Sequence, residues 1–143
     1  MTDVQELTGK CLCGAITFTV ASPSGRIGAC HCKMCRTWSG GLVFAIEDAR
    51  DLVISGEENL GVFKSSDWGE RCFCKTCGTN LFWRSEQFNH TAVMAGSIEQ
   101  EDRLTFASEI YVDRSPGYFA FANETNKMTE AEFLAQFAPP SDS

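Results

Sequence analysis

Three cysteines fall within six residues in Cys30-His-Cys32-Lys-Met-Cys35. A disulfide needs a Cβ separation and torsion that neighbours such as Cys30 and Cys32 reach only with strain. Three thiolates converging on one metal meet the same spacing without it. Zn²⁺ takes tetrahedral thiolate ligands, and three protein ligands leave its fourth position for water or substrate. The fold must therefore bring these three side chains around one point and leave that point open.

Five further cysteines bring the total to eight. Met1 to Lys10 carries no apolar signal core, and no apolar run nears membrane-spanning length. A cytoplasmic location is expected, and in a reducing compartment metal ligation outweighs disulfide formation. Cys11-Leu-Cys13 lies at the entry of a strand, where residues i and i+2 share a face. Cys74-Lys-Thr-Cys77-Gly78 has the spacing of a zinc knuckle, its glycine permitting a positive φ. Together the two pairs make a closed four-cysteine site joining segments about sixty residues apart. Such sites carry folding free energy, about 10–16 kcal/mol in zinc-finger peptides. Either pair alone would say less, because buried free cysteines are common and CxxC also serves redox chemistry. Cys72, left over beside Phe73, reads as a small core residue, with a redox or ligand role as the alternative. His31 sits between two candidate ligands, and as a strand neighbour its side chain points the other way, in a structural role. His90 ends a polar stretch from Ser85 and reads as exposed.

At 143 residues and 43 % hydrophobic, the chain suits one domain with one modest core, enriched in aromatics by 11 Phe. The expected domain is 1–143, with a core of about 9–138. A formal net charge of -7 repels phosphate backbones, so nucleic acid is not an expected partner, nor is a membrane. Ile16, Phe18 and Val20 alternate with Thr17 and Thr19, the period of a half-buried strand. A turn at 22–25, a short strand at 26–29 and one helical turn over 33–37 follow, ending at Gly40-Gly41. Leu42–Ile46 is apolar on both faces and reads as a central strand. Short strands are expected at 51–55, 61–65, 70–74, 79–84, 91–95 and 108–112. Thr129 and Glu132 fit a capping box opening a helix to Phe137, with Phe133, Leu134 and Phe137 on one face. Pro139-Pro140 ends it. This pattern predicts a mainly β domain.

The ordered landmarks are Cys11-Leu-Cys13-Gly14-Ala15, then Cys30 to Gly40, then Arg71-Cys-Phe73-Cys74-Lys-Thr-Cys77-Gly78-Thr79 with Leu81-Phe82, then Tyr111 to Pro116. In this order, from Gly9 to about Phe119, the chain resembles the glutathione-dependent formaldehyde-activating enzyme family, which has the Mss4-like fold. The resemblance implies several small antiparallel sheets with a short C-terminal helix, stabilised by zinc. It implies two zinc ions per chain. One is structural, on Cys11, Cys13, Cys74 and Cys77; the other is catalytic and labile, on Cys30, Cys32 and Cys35. The reaction it implies is a carbon–sulfur lyase reaction run as condensation, joining the thiol of glutathione to formaldehyde as S-hydroxymethylglutathione.

Lys33 and Arg36 stand beside the open site as candidates for a substrate carboxylate, and Trp38 as a candidate wall. Two other classes compete. Mss4-like folds also occur as non-enzymatic zinc-binding or partner-binding modules, and centromere protein V is among the family's relatives. A thiol redox enzyme using Cys72 is the third.

Overall fold

The computed structural model describes residues 5–136. In chain order the strands are β1 (Gln5–Lys10), β2 (Thr17–Ser22), β3 (Arg26–Cys30), β4 (Val43–Ile46), β5 (Arg50–Ser55), β6 (Leu60–Lys64), β7 (Glu70–Cys74), β8 (Asn80–Ser85), β9 (His90–Val93), β10 (Thr105–Ile110) and β11 (Asn126–Met128). The helices are α1 (Lys33–Ser39) and α2 (Glu130–Ala135). The result is the mainly β architecture that the residues predicted, with the several small sheets and short C-terminal helix that the resemblance implied. Among the described residues three sheets form, with orders β1-β2-β5, β11-β10-β3-β4 and β6-β7-β8-β9. The β10–β11 pair is parallel, a departure from the all-antiparallel expectation. No helix among the described residues is long and apolar enough to cross a membrane.

The chain divides into two compact units. One takes the described residues up to Ile27 together with Ala45–Thr105, and the other takes Gly28–Phe44 together with the described residues from Phe106 on. The first unit holds a core of Leu7, Ile16, Phe18, Val20, Ile46, Leu81, Phe82, Val93 and Ile98, joined by Cys11, Cys72 and Cys74. The alternation read in β2 is the cause: Phe18 and Val20 are buried while Thr17 and Thr19 face out. Phe18 meets Phe82 edge-to-face with centroids 5.0 Å apart, a favoured aromatic geometry.

Three readings from sequence are corrected. The polar start contains β1, paired antiparallel with β2 from Gln5↔Ser22 to Lys10↔Thr17. Leu7 is its one large apolar residue, too weak a period to see. Gly9 does the rest, since a Cβ there would lie 2.2 Å from the Phe18 ring. Secondly, β4 ends its sheet order instead of lying centrally. Its double-sided apolar character has another origin. Val43 and Ile46 are buried, Phe44 stands T-shaped to Phe106 and Phe121, and Ala45 makes an isolated bridge to Met94. Thirdly, His90 is half-buried in β9, its ring centroid 6.1 Å from that of Trp83, and burial lowers its pKa.

The second unit carries an aromatic cluster of Phe44, Phe106, Phe119 and Phe121. The predicted capping box is present, with the Thr129 hydroxyl accepting from the Glu132 amide and the Glu132 carboxylate accepting from the Thr129 amide. The expected continuation through Phe137 to Pro139-Pro140 lies outside the described residues.

Candidate metal centres

In the first unit, two tight turns present four sulfurs. Between β1 and β2, the Cys11 amide donates to Ile16 O and the Gly14 amide to Cys11 O, with Gly14 at φ 81. The Ile16 amide donates to Cys11 Sγ at 3.3 Å. After β7 the same device recurs. The Gly78 amide donates to Cys74 O at 2.8 Å, with Gly78 at φ 80, and the Cys77 amide reaches Cys74 Sγ at 3.5 Å. The Leu12 amide donates to Thr79 Oγ1, tying one turn to the other. All four sulfurs lie within 4.8 Å of one another. Zn–S bonds of about 2.3 Å in a tetrahedron put sulfurs about 3.8 Å apart. The Cys11–Cys13 and Cys13–Cys74 separations are 3.7 and 3.8 Å, so the donor set fits zinc.

The electrostatics ask for a cation. Hydrogen bonds from the Thr79 hydroxyl and amide pull Cys77 down to about 5. The Ala15 amide lowers Cys13, but burial and the sulfurs of Cys77, Cys11 and Cys74 outweigh it and push it up to about 11. Four adjacent thiols cannot all ionise at neutral pH unless a positive charge sits among them.

In the second unit, Cys30 closes β3, Cys32 is the N-cap of α1, and Cys35 lies in the first turn of α1. Cys32 has extended backbone at ψ 151 and its Sγ accepts from the Cys35 amide at 3.3 Å. The helix is thus capped by one of the sulfurs it presents. Gly40, at φ 82, ends it, its amide donating to Arg36 O. The three sulfurs lie within 4.8 Å of one another, a set that could hold a metal ion with a position to spare. The sulfurs of Cys32 and Cys35, then burial, hold the Cys30 thiol far above its ordinary range.

His31 lies away from these sulfurs. It is 2 % exposed, its Nε2 is 2.8 Å from Glu109 Oε1, and it stacks on Phe119. Glu109 Oε2 accepts from the Thr125 hydroxyl and lies 3.7 Å from Lys127 Nζ. Burial raises the Glu109 pKa, but the bonds from Thr125 and His31 outweigh it and leave it lowered. Lys33 and Trp38 sit on α1, the first exposed and the second half-buried. The Arg36 guanidinium is engaged, with Nε donating to His31 O at 2.9 Å and Nη2 to Arg114 O at 3.2 Å. Sequence reasoning missed Glu109, a single acid in a strand with no motif around it. Cys72 is fully buried in the core of the first unit, and burial pushes its thiol up to about 11.

Fold and site together define a mainly β protein with one four-thiol and one three-thiol cluster. A family model for the glutathione-dependent formaldehyde-activating enzyme matches residues 6–114, and the chain belongs to that family. A Schizosaccharomyces pombe protein named an uncharacterised lyase is 32 % identical over 132 residues, spanning 92 % of this chain and 96 % of that protein. A Halomonas elongata protein, provisionally named a glutathione-dependent formaldehyde-activating enzyme, is 36 % identical over 85 residues. That match spans 53 % of this chain and 54 % of that one. The crystal structure of a Rhodobacter sphaeroides protein superposes with a TM-score of 0.54 at 26 % identity, covering 65 % of this chain and 88 % of that one.

Proposed function

We propose that the chain is a zinc-dependent carbon–sulfur lyase-type enzyme that condenses glutathione with a small aldehyde, formaldehyde in the first instance, to S-hydroxymethylglutathione. In this reading Cys30, Cys32 and Cys35 hold the catalytic zinc, and Cys11, Cys13, Cys74 and Cys77 hold a structural one. The observation that carries it is the convergence of three sulfurs from β3 and α1 within 4.8 Å, with no fourth cysteine among them. Family membership and the lyase name of the fission-yeast relative support the reaction class.

Zinc held there would supply a Lewis acid and favour the ionised form of a bound thiol. The chain's own residues do the rest. Cys32 and Cys35 are fixed by the capped start of α1, so the open side of the cluster has a constant direction. Arg36 fixes the backbone at His31 and Arg114 instead of reaching into solution. Lys33 is left as the cation beside Cys32 for a substrate carboxylate, and Trp38 as an apolar wall further along α1. In the addition, the thiol loses its proton and its sulfur lone pair forms the C–S bond. The carbonyl π pair moves to oxygen, which takes up a proton.

The buried, weakly acidic Cys72 gives the redox alternative no support, because thiol nucleophiles react as thiolates. The test is Cys35→Ser. Zinc content should fall from two towards one per chain with the fold retained, and hemithioacetal formation from glutathione and formaldehyde should be lost. Equal zinc content in both forms would remove Cys35 from the ligand set. A loaded wild-type chain without turnover would favour a non-catalytic binding module.

A further inference from the structure

We propose that Tyr111 is a catalytic residue of the three-cysteine site, its phenolic hydroxyl donating a hydrogen bond to the aldehyde oxygen as the thiol sulfur adds to the carbonyl carbon. The inference rests on the function proposed above and assigns a residue that the cysteine pattern does not reach.

The backbone places it. Residues 110–114 are tied to the cysteine segment at two points. The His31 amide donates to Ile110 O at 3.1 Å, and Arg36 Nη2 donates to Arg114 O at 3.2 Å. Tyr111 lies between these two ties, in the same unit as the three sulfurs. Its backbone is left-handed, φ 58 and ψ 39, a region that a bulky residue other than glycine adopts only where its surroundings impose it. That turn starts the single 3-10 turn Val112–Arg114, whose Asp113 carboxylate accepts from the Glu130 amide at 2.8 Å. Arg114 Nε reaches Glu130 Oε1 at 2.8 Å, and the Tyr111 ring centroid lies 5.8 Å from that of Phe133. The backbone on both sides of Tyr111 is therefore tied to the cysteine segment, and its ring packs against Phe133 of α2.

The chemistry needs such a group. As the C–S bond forms, the carbonyl π pair becomes charge on oxygen, and a donor aimed there stabilises the transition state more than the ground state. Among the nearby donors, Arg36 is occupied with two carbonyls and His31 faces Glu109. Tyr111 is half-buried, and the bond from the His31 amide to Ile110 O sets it beside the segment that carries Cys30 and Cys32. The step balances without a redox partner. The proton lost by the thiol enters solvent and an equal proton returns to the oxygen, while the phenol keeps its own.

The experiment compares wild type, Tyr111→Phe and Tyr118→Phe, all zinc-loaded. Tyr118 is a neighbouring, 74 % exposed tyrosine and serves as the control. Three quantities are read: glutathione affinity by calorimetry, kcat for hemithioacetal formation, and the population of enzyme-bound adduct by carbon-13 NMR with labelled formaldehyde. Tyr111→Phe should retain zinc and glutathione affinity, lose about 10²-fold in kcat, the lower end for removal of one oxyanion donor, and hold less bound adduct. Tyr118→Phe should match wild type. Wild-type kcat and adduct population in Tyr111→Phe would overturn the assignment while leaving the zinc–thiol reading intact. Absence of glutathione binding in wild type would overturn both.

Discussion

Cys74→Ser should destabilise the first unit by an amount that follows from chain length alone. A metal held by Cys13 and Cys74 cross-links residues 61 apart in sequence. Closing a loop of that size removes unfolded-state entropy worth about 4 kcal/mol in the chain-entropy model. Cys74 is fully buried, so the substitution also leaves a hydroxyl among sulfurs and weakens the acceptor of the Cys77 amide. For a chain of about this size, 1 kcal/mol shifts Tm by about 2–4 °C, so a loss of about 8–16 °C is expected. The control is Cys72→Ala, which removes another fully buried sulfur two residues along the same strand. That should cost about 1 kcal/mol, in the range of one buried methylene. The assay is thermal unfolding of zinc-loaded wild type, Cys74→Ser and Cys72→Ala, repeated after chelation. With zinc the Cys74 variant should melt far below the other two. After chelation the gap between it and wild type should close. Equal melting of the Cys74 and Cys72 variants with zinc present would refute the cross-link argument.

The Asp48 carboxylate accepts from the Ser22 hydroxyl at 2.6 Å and the Ser24 amide at 2.9 Å. Burial raises its pKa, but these bonds outweigh it and leave it lowered, so its stabilisation exists above the ordinary carboxylate range and fades as pH falls through the folded value. Denaturant titrations should show Asp48→Asn below wild type near neutrality and level with it in acid; a constant difference at all pH values would contradict this. Glu109→Gln should cost about 1–3 kcal/mol, because it disturbs a 5 % exposed acceptor shared by His31 and Thr125. Faster amide exchange at His31 is the readout, and unchanged exchange would count against it. Thr129→Ala should cost about 1 kcal/mol by deleting the α2 cap, seen as faster exchange of the Glu132 amide; an unaltered rate would show that the cap contributes nothing.

What the residues made legible was whatever rests on short-range periodicity or on distinctive chemistry. The β2 alternation, the Glu70–Cys74 strand, the α1 start at Lys33 and the Thr129 cap all follow from local rules, and the structure has each of them. Both cysteine sets were readable because spacing alone groups them, and the structure brings each set together. What stayed hidden is non-local. β1 is recruited by pairing with β2, although Leu7 is its only large apolar residue. β11 is a three-residue strand formed against β10 with no apolar pattern of its own. Glu109 matters through His31, 78 residues away, and no local rule links an acid in one strand to a histidine in another.

The contrast between the two cysteine sets also bears on how firmly each would keep its metal. The four-cysteine set draws its sulfurs from turns 61 residues apart, so losing the metal frees a long loop as well as four thiols. The three-cysteine set lies within Cys30–Cys35, where chain closure contributes only about half as much in the same model. Much of that local ordering comes from the chain's own hydrogen bonds, since Cys32 caps α1 and the Arg36 amide donates to Cys32 O at 3.0 Å. Opening or exchanging a metal held there would cost little folding free energy. Zn²⁺ held by these three thiolates would carry one net negative charge and would leave a position for a further ligand. Non-local sulfurs thus suit a metal that holds the fold, and local sulfurs on a pre-capped helix suit one that meets substrate. On this ground a chelator titration should strip the three-cysteine set first, with no change in the melting of the first unit until the second metal leaves. Simultaneous loss of both metals with unfolding would show that loop length does not set their order.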